Sequence, residues 1–269
     1  MHRKLNALFI FLLVVVFITA ANTVQQWNIL LGVLLSTAFA LVAFLFQRLT
    51  LDGMFATAVV GTFIFGLGGL SIALVVLFFF VSSALVTGRW IPDLEESAQQ
   101  VRRDGFQVWA NGFWLIVCLV LAVIFNTELF LLGALAAIAT ATADTWATEL
   151  GSLAPQSTYL ITNFQTVSPG TDGGISLRGT TAALAGAATI GSAGLYVFSL
   201  HFYIFIVIFT AGFLGCVLDS YFGAIFQRNN RSVTLPAWDI KISIDNNLVN
   251  GISTGAGALL AVIIKLLLV

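Results

Sequence analysis

Apolar runs of about twenty residues recur along almost the whole chain, each long enough to cross a hydrocarbon layer as a helix. Nine can be drawn, near 5–21, 27–46, 51–68, 70–87, 106–125, 129–149, 179–199, 202–224 and 248–267. The expected fold is an all-α, polytopic transmembrane bundle. It forms a single integral membrane domain, 1–269, with polar segments at 88–105, 150–178 and 225–247. Composition agrees, with 59% apolar and 9% charged residues and a mean hydropathy of +1.02. Two places blur the count: Gly66-Leu67-Gly68-Gly69, between the third and fourth runs, and the surroundings of His201. The first run, Leu5 to Ala21, follows His2-Arg3-Lys4 like a signal peptide, but Thr19-Ala20-Ala21 is a weak cleavage site. A second apolar run follows at once, so the first is read as a retained helix.

Charge orients the bundle. With the N-terminus inside, Arg3, Lys4, Arg48, Arg89, Arg102, Arg103, Arg178, Arg228, Arg231 and Lys241 all fall on the cytoplasmic side, and Lys265 falls opposite. That asymmetry predicts a cytoplasmic N-terminus, an external C-terminus and a multi-pass protein of the cell membrane. The acids divide the same way, with Glu128 external, so the chemistry faces the cytoplasm. No basic surface points to nucleic acid. Cys118 and Cys216 lie in apolar segments and read as small core residues. His2 and His201 are poorly placed for a metal.

The polar stretch that organises the rest runs from Asp144 to Ser176. Asp144 stands inside the sixth run, where a carboxylate is costly unless it faces a polar cavity, a partner or a metal. Thr145 and Glu149 form an i, i+4 pair on a neighbouring face, while Thr140, Thr142 and Thr148 can bond backbone carbonyls. The stretch closes on Pro169-Gly170-Thr171-Asp172-Gly173-Gly174-Ile175-Ser176. A glycine-rich loop of this kind can turn successive N–H groups toward phosphate oxygens. Arg178 and the helix start Gly179-Thr180-Thr181 follow directly, adding a guanidinium and a helix N-terminus. A simple turn is the alternative reading.

Two further segments contribute. Thr87 to Phe106, with Asp93, Glu95, Glu96, Arg102, Arg103 and Asp104, is expected to form a polar interfacial helix. It leads to Gln107 and Asn111, four apart on one helical face, where capping is the plainer explanation. In the eighth run Gly212, Gly215, Asp219 and Gly223 share a face, so Asp219 projects into a close helix interface. Asp245-Asn246-Asn247 precedes the last run, and either asparagine can cap it. Together Asp144, Asp172, Asp219 and Asp245 place four acids from separate elements at one membrane face. Soluble nucleotide-binding signatures are absent, and with so little lysine the neutralisation of phosphate falls to Mg²⁺ and arginines.

Five strings occur in order: RDGFQVWANG at 103–112, ADTWATELG at 143–151, PGTDGGISLRGT at 169–180, LDSYFGAIFQ at 218–227 and DNNLVN at 245–250. Their order and membrane placement resemble the polytopic family that contains the plant and cyanobacterial phytyl-phosphate kinases, over nearly the whole chain after the first span. The family is in turn similar to dolichol kinases and CDP-diacylglycerol synthases. The resemblance implies phosphoryl transfer from a nucleoside triphosphate, CTP in the first instance, to a phytyl or other isoprenoid monophosphate in the membrane. On that chemistry Asp144 and Asp219 lead as Mg²⁺ ligands, with Asp172, Asp245 and Glu149 as further acids. Gly170, Thr171, Gly173, Gly174 and Ser176 would cradle phosphate, Arg178 and Arg103 would neutralise it, and Asn111 and Asn246 would orient nucleotide or phosphate. The isoprenoid chain would lie along Phe- and Leu-rich walls. Two other readings stand beside this one: a CTP-dependent lipid-phosphate cytidylyltransferase and an ion-coupled transporter.

Overall fold

The computed structural model describes residues 2–88, 102–152, 157–197, 201–228, 232–235 and 240–268. Within them the helices are α1 (His2–Thr19), α2 (Thr23–Leu45), α3 (Leu51–Gly88), α4 (Gly105–Ile124), α5 (Leu129–Gly151), α6 (Leu177–Val197), α7 (Phe202–Phe222) and α8 (Asn246–Leu267). A π-helical turn, Gly223–Gln227, extends α7. Residues 89–101, which hold most of the expected interfacial helix with Asp93, Glu95 and Glu96, lie outside the described residues.

The all-helical membrane architecture is as the apolar runs require, but the nine expected spans are not nine separate helices among the described residues. Seven of these helices are long and apolar enough to cross a membrane, and Lys4–Thr19 is a shorter apolar helix. The expected spans 51–68 and 70–87 are one run, α3, interrupted only at Gly69, whose φ of 68° and ψ of −171° are non-helical. That backbone region is essentially confined to glycine. The bend is sharp. Arg103 accepts a hydrogen bond from Thr50 N–H at 3.1 Å and lays its guanidinium over the Phe79 ring at 5.2 Å. On a straight helix Thr50 and Phe79 would be roughly 40 Å apart. The two arms of α3 therefore fold back and return to the same end of the bundle.

The core is built around α5, which packs against α3, α4, α6, α7 and α8. Every residue from Leu132 to Ala143 is buried, the mark of a helix enclosed on all sides. Its small side chains allow this, and the partners answer with glycine. A Cβ on Gly186 would lie 3.1 Å from the Ala143 backbone, and Cβ atoms on Gly215 or Gly257 would overlap Thr140. The threonines of this helix bond back to their own backbone, Thr140 Oγ1 to the Ala136 carbonyl at 3.0 Å and Thr142 Oγ1 to that of Ile138 at 2.7 Å. α1 joins the bundle through Phe9, whose ring meets those of Phe63, Trp109 and Phe113, and through Asn6, which accepts from Trp109 Nε1 at 2.7 Å.

Two small antiparallel sheets occupy the polar segments. β1 (Thr158–Leu160) pairs with β2 (Thr166–Val167) and β3 (Gly174–Ile175), with Tyr159 opposite Ile175. β4 (Ser232–Leu235) pairs with β5 (Ile240–Ser243).

Candidate functional site

Where α5, α6 and α7 meet the first sheet, they enclose a cavity of about 290 Å³. It lies at the bundle end that carries Arg103, Glu149 and the start of α8, opposite the end where Lys265 Nζ donates to the Tyr203 hydroxyl at 3.1 Å. Asp144, Thr148, Gly170, Thr171, Asp172, Gly173, Gly174, Ser176, Asp219, Gln227 and Asn246 all line it. The fold thus unites residues from five places in the chain.

Asp144 and Asp219 form its floor. Asp144 enters one turn after the buried Thr140, and its carboxyl approaches that of Asp219 across the α5–α7 contact closely enough for the two to interact. Two carboxyl groups at this separation hold either a proton or a cation between them. Asp219 is only 7% exposed, and α8 supplies its other partners. Ser253 Oγ donates to its Oδ1 at 2.6 Å. Asn250, with its amide nitrogen turned toward the carboxylate, donates at 3.0 Å and also reaches the Asn246 carbonyl at 3.2 Å. Asp172 comes from the loop above and is close enough to act electrostatically on Asp219.

The glycine loop is a built turn. Gly170 and Gly173 have φ of 81° and 75°, and a Cβ on Gly173 would run into Ala224 of the π turn. Thr171 closes the turn, its hydroxyl donating to the Ser168 carbonyl at 2.6 Å. Gly174 N–H donates to the Thr171 carbonyl at 2.8 Å, and the Gly173 carbonyl accepts from Ile161 at 3.0 Å. Of the N–H groups expected to form a cradle, those of Thr171, which donates to the Ser168 carbonyl at 3.2 Å, and Gly174 are therefore already engaged. Ser176 caps α6, its hydroxyl accepting from Gly179 N–H at 3.1 Å, so the start of that helix, with Gly179 and Thr180, faces the cavity.

Five expected residues stand outside this cavity: Glu149, Arg178, Arg103, Asn111 and Asp245. Arg178 sits in the first turn of α6, where its carbonyl accepts from Thr181 Oγ1 at 2.9 Å. Arg103 and Asn111 line a second cavity of about 320 Å³ between α2, α3 and α4. Burial pulls the Arg103 guanidinium down to about 10, while nearby Glu149 acts in the opposite direction. Gln107 completes a capping box with Asp104 at the start of α4, and Asn111 Nδ2 donates to the Gln107 carbonyl at 3.1 Å. Asp245 is the N-cap of α8, accepting from Leu248 N–H at 2.9 Å. Asp245→Ala is accordingly expected to cost about 1 kcal/mol, read as a lower melting temperature. An unaltered melting temperature would contradict the capping role.

Ser253, Asn250 and Gln227 are the contributors that the sequence reading does not single out. A signal exists for two of them: Asn246, Asn250 and Ser253 follow one another at intervals of four and three, one face of a helix. Among the described residues no group of three or more His, Cys, Asp or Glu side chains converges as a metal cage.

Comparison with known proteins places the chain. Residues 34–258 match the family model described as integral membrane protein DUF92. An uncharacterized membrane protein of Methanocaldococcus jannaschii is 31% identical, over 79% of this chain and 84% of its own length. Protein PGR of Arabidopsis thaliana is 29% identical over 86% of this chain and 94% of its own. The chloroplastic Protein VTE6 of Arabidopsis thaliana is 29% identical over 52% of this chain and 39% of its own. No solved structure matches. The chain belongs to the DUF92 family of integral membrane proteins, the membership that its five ordered motifs anticipate.

Proposed function

We propose that this protein is a membrane-embedded isoprenoid-monophosphate kinase that uses a nucleoside triphosphate, CTP by resemblance, and works at the cytoplasmic face. The observation that carries the reading is the pair Asp144 and Asp219, facing each other at the floor of a polar cavity inside an otherwise apolar bundle. Charged groups held at membrane depth are functional by default. Here they sit under a glycine-bearing turn and a helix N-terminus, the latter suited to phosphate oxygens.

The donor set fits Mg²⁺. It consists of hard oxygens, and Mg²⁺ binds through one or two carboxylates and completes its shell with water and substrate phosphates. Asp144 and Asp219 would hold it, with Asp172 close by; when bound, it would neutralise charge on the transferred group. Ser253 and Asn250 fix the Asp219 carboxylate, and the capped start of α6 receives a phosphate oxygen. An oxygen of the lipid phosphate then attacks the γ-phosphorus, and the bond to the β–γ bridging oxygen breaks. The products are the nucleoside diphosphate and the isoprenoid diphosphate. Since the acceptor is already ionised, alignment and charge neutralisation do the catalytic work.

The deciding experiment incubates purified protein with γ-labelled CTP, or ATP, and a panel of prenyl monophosphates. Label transferred into a prenyl diphosphate, with release of the nucleoside diphosphate, is the expected result. A nucleotide-linked lipid with release of diphosphate would replace the kinase by a cytidylyltransferase. Absence of transfer with every pair, beside ion-driven uptake in vesicles, would overturn the enzyme reading.

A further inference from the structure

We propose that the second cavity, between α2, the two arms of α3 and α4, holds the hydrocarbon chain of the acceptor lipid, with its anionic head group at Arg103. The assignment rests on the acceptor being an isoprenoid monophosphate.

The shape is that of a slot. The second arm of α3 lines it from Leu70, beside the bend, to Phe80, beside Arg103, a run of roughly 15 Å at the helical rise. Its volume of about 320 Å³ falls at the lower end of the range of roughly 300–1,000 Å³ in which small-molecule sites lie. Phe39, Phe65, Leu74 and Leu115 wall it, so the slot takes an extended apolar chain and little else.

Polarity is graded along it. Arg103, Gln107 and Asn111 line the end at which α4 begins. The Arg103 guanidinium stacks on Phe79 and Phe80, at 5.2 and 5.5 Å from their ring centroids. Its backbone is pinned on both sides, donating to the Arg48 carbonyl at 3.0 Å and accepting from Thr50 N–H at 3.1 Å. Thr57 also lines the slot, and its buried hydroxyl has no hydrogen-bond partner. It stands one helical turn beyond Gly53, which abuts the Arg103 carbonyl, so it belongs to the same polar end. A fixed guanidinium and a spare hydroxyl at the mouth of a greasy slot match a phosphate head on an apolar tail. Glu149, whose charge acts on Arg103, lies on α5 a little over a turn beyond Asp144, so this mouth opens at the same end of the bundle as the catalytic cavity.

The test uses full-length protein in lipid nanodiscs and a farnesyl monophosphate probe with a diazirine at its tail. Crosslinks are mapped by peptide mass spectrometry. Labelling is expected on the second arm of α3 and on α4, around Leu74 and Leu115, and is competed by geranylgeranyl monophosphate. Ala73→Trp, which fills the slot, should lower labelling about tenfold by displacing a few buried methylenes; Ala73→Leu provides a milder step if the larger side chain prevents folding. Arg103→Gln should weaken binding of the phosphate but leave the neutral prenol unaffected. Saturable labelling on other helices overturns the slot while leaving the kinase reading intact. Competition by phosphatidylglycerol but not by prenyl phosphate overturns it in favour of a membrane lipid. No saturable labelling anywhere overturns both.

Discussion

Asp144→Asn and Asp219→Asn are each expected to lower phosphoryl transfer on the order of 10³-fold, the loss typical of removing a group that stabilises transition-state charge. Both substitutions keep the shape of the side chain, and Asp219 keeps neighbours able to hydrogen-bond an amide, Ser253 among them. Folding should therefore survive, as judged by size-exclusion profile and melting temperature. Ser253→Ala, which only frees the carboxylate to move, should cost about 10–100-fold, as partners of metal-binding groups do. That ordering separates a reacting pair from a structural one: a buried polar contact would show first in stability, with surviving protein fully active. Near-normal turnover in Asp144→Asn would remove the pair from the mechanism.

Gly173→Val should destabilise the protein by roughly 2–6 kcal/mol, the sum of left-handed backbone strain and overpacking. Its φ of 75° disfavours any β-branched residue, and the new side chain would enter the space of Ala224. Gly170→Ala is the control. It shares a positive φ, 81°, yet its Cβ would meet nothing within 4 Å, so only the backbone term of about 1–2 kcal/mol applies. A melting series on these variants reads the difference directly. Gly174 has a different expectation. Its φ is not positive, but its N–H is committed within the turn and its Cβ would meet Thr158 Cγ2 at 2.8 Å and the Thr171 carbonyl at 2.9 Å, so Gly174→Val is expected to lower the melting temperature by overpacking alone. Equal melting temperatures for Gly173→Val and the parent would contradict the docking of this loop on α7.

The bundle and its two central acids were legible in the chain because hydrocarbon imposes a simple rule. Long apolar runs become helices, and an acid within one must be answered by a partner, which made Asp144 and Asp219 conspicuous. Caps obey no such rule. Asp245 looked like a fourth converging acid because an aspartate ahead of a helix reads the same whether it caps that helix or binds a ligand; only the 2.9 Å bond to Leu248 N–H separates the two. Ser253 was hidden for the converse reason, since serine in an apolar helix commonly bonds its own backbone. It does so here too, to the Val249 carbonyl at 2.8 Å, while also serving Asp219. The strands escaped because two or three residues are too few to show alternation, and their pairing depends on how the glycine turn docks.

The bend at Gly69 decides more than the path of α3. Were that residue helical, α3 would pass once from one side of the bundle to the other, and α4 would begin at the opposite membrane face. Every later helix would be inverted relative to the N-terminus, and Asp144, Asp219 and the glycine turn would open toward the other compartment. Between Gly53 and Val86 the run holds no charged residue, so the arginine bias that orients flanking segments has no purchase on it. The compartment toward which the polar cavity opens is thus set by one backbone torsion, at a position where a Cβ would meet nothing within 4 Å.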